Sequence, residues 1–127
     1  MAQCLQAAAS DTTVQTALME RRRITGSDAL YQQLGQACDA AMHPYAFYRA
    51  KLLEMRLRHA RFGHTPYALE PDCKESPGGL RDLQTVAWVA QAAGYGRTWT
   101  ELHQHGLMTA FELRQIRRHH ALLRQIR

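Results

Sequence analysis

The sequence predicts an all-α fold, an up-and-down bundle of about four to six helices with one long loop rich in proline and glycine. Alanine, leucine, arginine and glutamine dominate, whereas valine, isoleucine and aromatic residues are sparse, which favours helix over strand. Apolar residues recur at three- and four-residue spacing. The connections are mostly short, which favours antiparallel neighbours. At 127 residues and 46% hydrophobic, the chain fits one domain over residues 1–127.

Cap residues delimit the helices of the first half. Residues 2–9 are typical of a helix end, and Asp11 with Ser10 offers an N-cap for a second helix reaching about Arg23. Gly26 ends that helix, and Ser27 caps a third helix extending to about residue 41. The apolar residues of the second and third helices are Val14, Leu18, Met19, Leu30, Leu34 and Ala41.

A fourth, long helix is predicted to begin at Pro44, whose fixed φ suits a first helical turn, and to end at Gly63. Its predicted apolar side consists of Ala46, Phe47, Ala50, Leu53 and Leu57. Residues 64–79 follow without periodicity and contain three prolines and two glycines. This Pro/Gly loop is long for a compact helical domain, and long ordered loops are usually functional.

Three further helices are predicted after the Pro/Gly loop. One extends from Gly79 to Gly94 with an apolar stripe. Capping boxes at Thr98 and Thr109 begin the other two. The stripe consists of Leu80, Leu83, Val86, Ala87 and Ala90, and the last helix carries Leu113, Ile116, Leu123 and Ile126. Because this helix reaches Arg127 without a stop signal, we expect the natural protein to continue.

The net charge of +5 comes almost wholly from arginine, concentrated in residues 21–23 and in the last helix. Runs of charged residues usually form solvated helix faces. We expect the arginines to form such faces and a surface that contacts a neighbouring domain, and nucleic acid is not the expected partner. An arginine-rich module that binds nucleic acid or an acidic protein remains the alternative, and a purely structural spacer is a third. Nucleic-acid binding through several arginines would weaken steeply with rising salt.

Cysteines and apolar stretches indicate the compartment. Cys4, Cys38 and Cys73 are widely spaced and form no pair typical of a disulfide framework or a zinc site, which favours a reducing environment. The apolar stretches are too short to span a bilayer, and the N-terminus lacks a signal pattern. We therefore expect a cytoplasmic protein without a membrane partner.

The segment most suggestive of chemistry places Gly78 and Gly79 directly before a helix, with Lys74 and Arg81 nearby. Free N–H groups in a first helical turn carry partial positive charge, so this end is suited to a phosphate. A tight turn with an exposed Arg81–Asp82 surface is the alternative, since the pattern matches neither a P-loop nor a dinucleotide fingerprint.

Other candidate groups have weaker support. Glu70 and Asp72 have the one-residue separation of paired metal carboxylates, but Pro71 lies between them, and neutralisation of Lys74 or of arginines is favoured instead. The seven histidines include no helical pair four residues apart, and no nucleophile motif is present. We expect no metal, cofactor or catalytic residue in this chain.

Residues 69–88 resemble the diagnostic stretch of the bifunctional PII uridylyltransferase/uridylyl-removing enzymes: Leu-Glu-Pro, a lysine, then Pro-Gly-Gly-Leu-Arg-Asp and an apolar helix with tryptophan. The resemblance extends to residues 16–22, 47–51, 58–61 and 106–109, and so covers nearly the whole chain. It implies a multidomain enzyme that transfers UMP from UTP to a PII signalling protein in nitrogen regulation, removes it in a hydrolytic HD domain, and senses glutamine.

The resemblance also implies what this chain lacks. The family's transferase core uses Gly-Ser followed by Asp-x-Asp to hold magnesium and UTP, and here Gly26-Ser27 has no such sequel. No histidine is followed by aspartate, as the hydrolase requires. The chain is thus expected to be a substrate-binding helical domain flanking the core, with residues 1–25 as the end of the core or a link to it.

The resemblance and the helix entry together select five candidate substrate or phosphate contacts. They are Lys74, Gly78, Gly79, Arg81 and Asp82. Lys74 and Arg81 are expected to contact the anion, and Asp82 is expected to orient Arg81. Whether the loop faces UTP, the PII protein or a neighbouring domain is left open by the sequence.

Overall fold

The computed structural model describes residues 2–127, and this part of the chain contains seven helices and no strand. The helices are α1 (Ala2–Ser10), α2 (Thr12–Met19), α3 (Asp28–Ala40), α4 (Pro44–Arg61), α5 (Leu80–Ala92), α6 (Trp99–Gln104) and α7 (Ala110–Ile126). The predicted all-α class is confirmed. The seven helices correspond to the segments that the predicted caps and glycines delimit, one more than the expected four to six.

The predicted caps are present. The Asp11 carboxylate accepts from the backbone N–H of Thr13 at 2.6 Å, and both threonine capping boxes are complete. The predicted end of α2 was wrong, since α2 ends at Met19 and not near Arg23. The guanidinium of Arg21 donates to the carbonyl of Leu18 at 2.7 Å and so occupies an acceptor that a continued helix would use.

The core lies where α2, α4 and α5 meet. Met19, Phe47 and Trp88 form its buried centre. The indole N–H of Trp88 donates to a carboxylate oxygen of Glu20 at 2.7 Å, which links α5 to the residue that follows α2. Helix α1 packs on α2, and α7 packs on both α5 and α6. Within residues 2–127, no helix is both long and apolar enough to cross a membrane.

The buried side of α4 differs from the predicted one. Leu53 and Leu57, expected in the core, are more than half exposed. Lys51 and Arg58 are buried in their place, on the same side as Phe47. Their long aliphatic stems pack as apolar groups, while Nζ of Lys51 pairs with Glu54 and Nη2 of Arg58 pairs with Asp82. Residue type alone therefore did not predict that they are buried.

Candidate functional site

The Pro/Gly loop is held by Asp72 at its centre. One carboxylate oxygen of Asp72 accepts from the backbone N–H groups of Lys74 at 2.8 Å and Glu75 at 2.9 Å. The bond from Glu75 and then that from Lys74 lower the pKa of Asp72 below its ordinary value, because both favour the carboxylate form. Asp72 therefore organises a turn. Within residues 2–127, no group of three or more histidine, cysteine, aspartate or glutamate side chains is arranged to hold a metal.

Gly78 and Gly79 are required for different reasons. Gly78 has a φ of +79°, in the region that favours glycine. Gly79 is extended, but a Cβ there would lie 2.9 Å from the carbonyl oxygens of three loop residues. These residues are Cys73, Lys74 and Ser76. The loop thus folds directly over the backbone of Gly79, and no larger residue fits at that position without a shift of backbone.

The backbone N–H groups in the first turn of α5 are hydrogen-bonded to carbonyl groups of the preceding loop. The N–H of Leu80 donates to the carbonyl of Cys73 at 2.9 Å, and that of Arg81 donates to the carbonyl of Lys74 at 2.8 Å. The expectation of free first-turn N–H groups for a phosphate was therefore wrong. The preceding loop folds back over the start of α5, and its carbonyl groups occupy these N–H donors. An anion at this end of the helix therefore has to be bound by side chains.

Asp82 connects the two ends of the loop. Its carboxylate accepts from the guanidinium of Arg58 at 2.5 Å and from the N–H of Gly78 at 2.8 Å, and it lies 2.9 Å from Nε2 of His59. The expectation that Asp82 orients Arg81 was wrong. Adjacent side chains on a helix point about 100° apart, so Asp82 faces α4 while Arg81 faces elsewhere.

Arg81 contacts the loop and the following turn. Its guanidinium donates to the side-chain oxygen of Gln84 at 3.0 Å and lies 3.3 Å from Glu75. It also lies over the ring of Trp88, 5.5 Å from the ring centre. Lys74 lies 3.5 Å from Glu75. The structure thus brings the predicted cations Lys74 and Arg81 to the same carboxylate.

Arg58 and His59 were not among the predicted site residues. They come from the last turns of α4, more than twenty positions before Asp82, and no local pattern marks them as partners. The only signal was the extension of the family resemblance to residues 58–61. We call the side chains of Arg58, His59, Lys74, Glu75, Arg81 and Asp82 the ionic cluster.

The fold and the ionic cluster define an all-helical domain in which a Pro-Gly-Gly turn is fixed between two packed helices. The chain belongs to the GlnD PII-uridylyltransferase family, whose model matches residues 46–127. That match includes the whole of the ionic cluster.

Similar curated proteins agree with this assignment. The chain is 53% identical over all of its 127 residues to the bifunctional uridylyltransferase/uridylyl-removing enzymes of Burkholderia orbicola strain MC0-3 and of Burkholderia lata. The same identity holds over 125 residues, 98% of the chain, with that of Burkholderia thailandensis. The chain spans 15% of the length of each of these relatives. No solved structure matches it.

Proposed function

We propose that this chain is a substrate-binding helical domain of an enzyme that transfers UMP from UTP to a PII signalling protein and removes it hydrolytically. One observation carries the proposal. The family's Pro-Gly-Gly-Leu-Arg-Asp segment is held against α4 by the bonds of Asp82 to Arg58 and Gly78, and Lys74 and Arg81 are partly exposed. Loops that are fixed on a scaffold of helices and carry accessible cations are suited to position an anionic substrate.

Each residue has a separate task in this proposal. Arg58 and Asp82 hold the loop against α4, and Gly78 and Gly79 allow the close turn. Lys74 and Arg81 supply positive charge toward the triphosphate or toward an acidic surface of the PII protein. The described residues offer no carboxylate set for magnesium. As the family resemblance implies, we assign UTP-bound magnesium, glutamine sensing and both reactions to other parts of a longer cytoplasmic enzyme.

The proposed organisation follows from the same division of tasks. Residues 1–127 form one helical domain that lies beside the nucleotidyltransferase core and the HD domain, and residues 1–25 end or link to the core. The purified chain is accordingly expected to show no turnover with UTP, magnesium and PII protein. Turnover above background would contradict this assignment.

The test is Arg81→Ala in the intact enzyme. Removing a cation that contacts substrate is expected to lower UMP transfer at least tenfold, about 1.4 kcal/mol, while hydrolytic UMP removal is less affected. Arg97→Ala is the matched control, because Arg97 is exposed and lies outside the ionic cluster. Normal transfer by Arg81→Ala, with only a lower thermal stability, would show that Arg81 has a structural role and would contradict the proposal.

A further inference from the structure

The carboxylate of Glu75 lies among three cations, and its one hydrogen bond to them is a long one, accepted from the guanidinium of Arg81 at 3.3 Å. It is 3.3 Å from Nη2 of Arg81, 3.5 Å from Nζ of Lys74 and 4.0 Å from Nε of Arg58. Charge-assisted hydrogen bonds between such groups are normally about 2.7–2.9 Å long. The two oxygens of one carboxylate are thus shared by three cations at long distances. Another anion could therefore replace this carboxylate.

The guanidinium of Arg58, beside Glu75, has too few hydrogen-bond acceptors around it. Its side chain is only 9% exposed, and both Nε and Nη1 are buried without a hydrogen-bond partner. Asp82 engages only Nη2 and is itself shared with Gly78 and His59. Unsatisfied donors of a buried guanidinium destabilise a fold, and they are satisfied when an acceptor reaches them.

We propose that Glu75 occupies the place of a phosphate group, which binds between Arg58, Lys74 and Arg81 when the Glu75 side chain turns outward. A phosphate brings more acceptor oxygens than a carboxylate and up to twice its charge, so it can contact all three cations at once. Glu75 lies in the loop and is partly exposed, so its side chain can leave without disrupting the core.

This inference deepens the proposed function, on which it rests for the source of the phosphate, namely the polyphosphate of a nucleotide. It adds Arg58 as a phosphate contact and Glu75 as an internal competitor. Phosphate binding itself does not depend on the proposed function, because it can be measured on this chain with simple anions. The two ideas can therefore fail separately.

The experiment compares the phosphate affinity of the native chain and of Glu75→Gln, measured by calorimetry at constant ionic strength against chloride. Removal of the competing carboxylate is expected to tighten binding of inorganic phosphate about fivefold to tenfold. Glu70→Gln is the control, because it removes an exposed loop carboxylate outside the cluster and is expected to bind like the native chain. Equal affinity of both glutamine variants would overturn the inference.

Two further measurements complete the test. Adding Lys74→Gln to Glu75→Gln is expected to abolish the gain, and far-UV circular dichroism verifies that each variant is folded. The phosphate site would be overturned by a gain in affinity that survives this change. It would also be overturned if Glu75→Gln tightened the binding of acetate as much as that of phosphate. Tighter binding of UTP than of inorganic triphosphate would support a nucleotide as the source of the phosphate. Equal binding of the two would show that the site recognises phosphate groups without a nucleoside. Should the gain be absent while Arg81→Ala still lowers UMP transfer, the phosphate site falls and the proposed function stands.

Discussion

Arg58 and Asp82, 24 residues apart, form an ion pair with 2.5 Å between the guanidinium nitrogen and the carboxylate oxygen. The pair joins the last turns of α4 to the first turn of α5, so the two ends of the Pro/Gly loop are held at a fixed separation. Asp82 also accepts from the N–H of Gly78, which ties the loop itself to the pair. The shape of the loop therefore depends on a contact between helices as well as on its own sequence.

Asp82→Ala is expected to destabilise the chain by about 2–4 kcal/mol, because the buried guanidinium of Arg58 loses its carboxylate. Urea denaturation of the purified chain measures the change. Asp28→Ala is the control, since Asp28 pairs with Arg23 on the exposed surface and its loss is expected to cost less than about 1 kcal/mol. Equal losses in the two variants would contradict the importance of the Arg58–Asp82 pair.

The two glycines of the turn are expected to respond differently to alanine. Gly79→Ala places a Cβ against three backbone carbonyls, which cannot move independently, and we expect a loss of more than about 2 kcal/mol. Gly78→Ala meets no atom within 4 Å and has only the cost of a left-handed φ, about 1–2 kcal/mol. The midpoints of thermal unfolding rank the two variants, and a larger effect at Gly78 would contradict the described packing.

Lys51 offers a test of a buried charge. It is 3% exposed, 2.7 Å from Glu54 and 4.8 Å from the centre of the Trp88 ring. Glu54→Ala leaves the ammonium without a counterion and is expected to cost about 1–3 kcal/mol. Lys51→Met keeps the apolar stem and removes the charge, so its cost is expected to be smaller. Chemical denaturation of both variants decides the order, and a larger loss for Lys51→Met would show that the charge itself stabilises the core.

The capping boxes predict a dependence of stability on pH. Hydrogen bonds from the Thr98 hydroxyl and then from the Arg97 N–H lower the pKa of Glu101 below its ordinary value of 4.5. The N–H and then the hydroxyl of Thr109 likewise lower the pKa of Glu112. A lowered pKa in the folded state stabilises the fold above the unfolded value, and this stabilisation is lost as the pH falls through the folded value.

The measurement compares Glu101→Gln and Glu112→Gln with the native chain across this range. Each variant is expected to be less stable than the native chain at pH 7, and the difference is expected to shrink below pH 4.5 as the native carboxylates become protonated. Glu70→Gln is measured alongside as the control, because it removes an exposed loop carboxylate that caps no helix. A constant difference down to pH 2 would contradict the role of the ionised caps.

The starts of the helices were predicted correctly from the sequence, whereas the buried side of α4 was not. Asp11, Ser27, Thr98 and Thr109 act within three residues of themselves, so local chemistry was sufficient to locate them. The buried side of α4 depends on which helix packs against it. Because α5 provides Trp88 and Asp82, the cationic residues Lys51 and Arg58 lie inside and two leucines remain outside.

The candidate site was predicted in part for the same reason. Lys74, Gly78, Gly79 and Arg81 belong to one continuous segment, and the structure keeps them together around the turn. The partners of Asp82 come from α4 and had no local signal. The loop carbonyls that occupy the first turn of α5 depend on how the chain returns on itself, which a reading of residue types does not reveal.

Trp88 gives the protein a built-in optical reporter. Its indole N–H is bonded to Glu20, and its ring lies beneath the cations of both Lys51 and Arg81. The emission of tryptophan responds to charges close to its ring, so a movement of Arg81 toward a ligand is expected to change the fluorescence of Trp88. Since Trp99 is the other tryptophan of the chain, a Trp99→Phe background isolates this signal. Events at the loop surface can thus be followed in real time from a side chain of the core, without an attached dye.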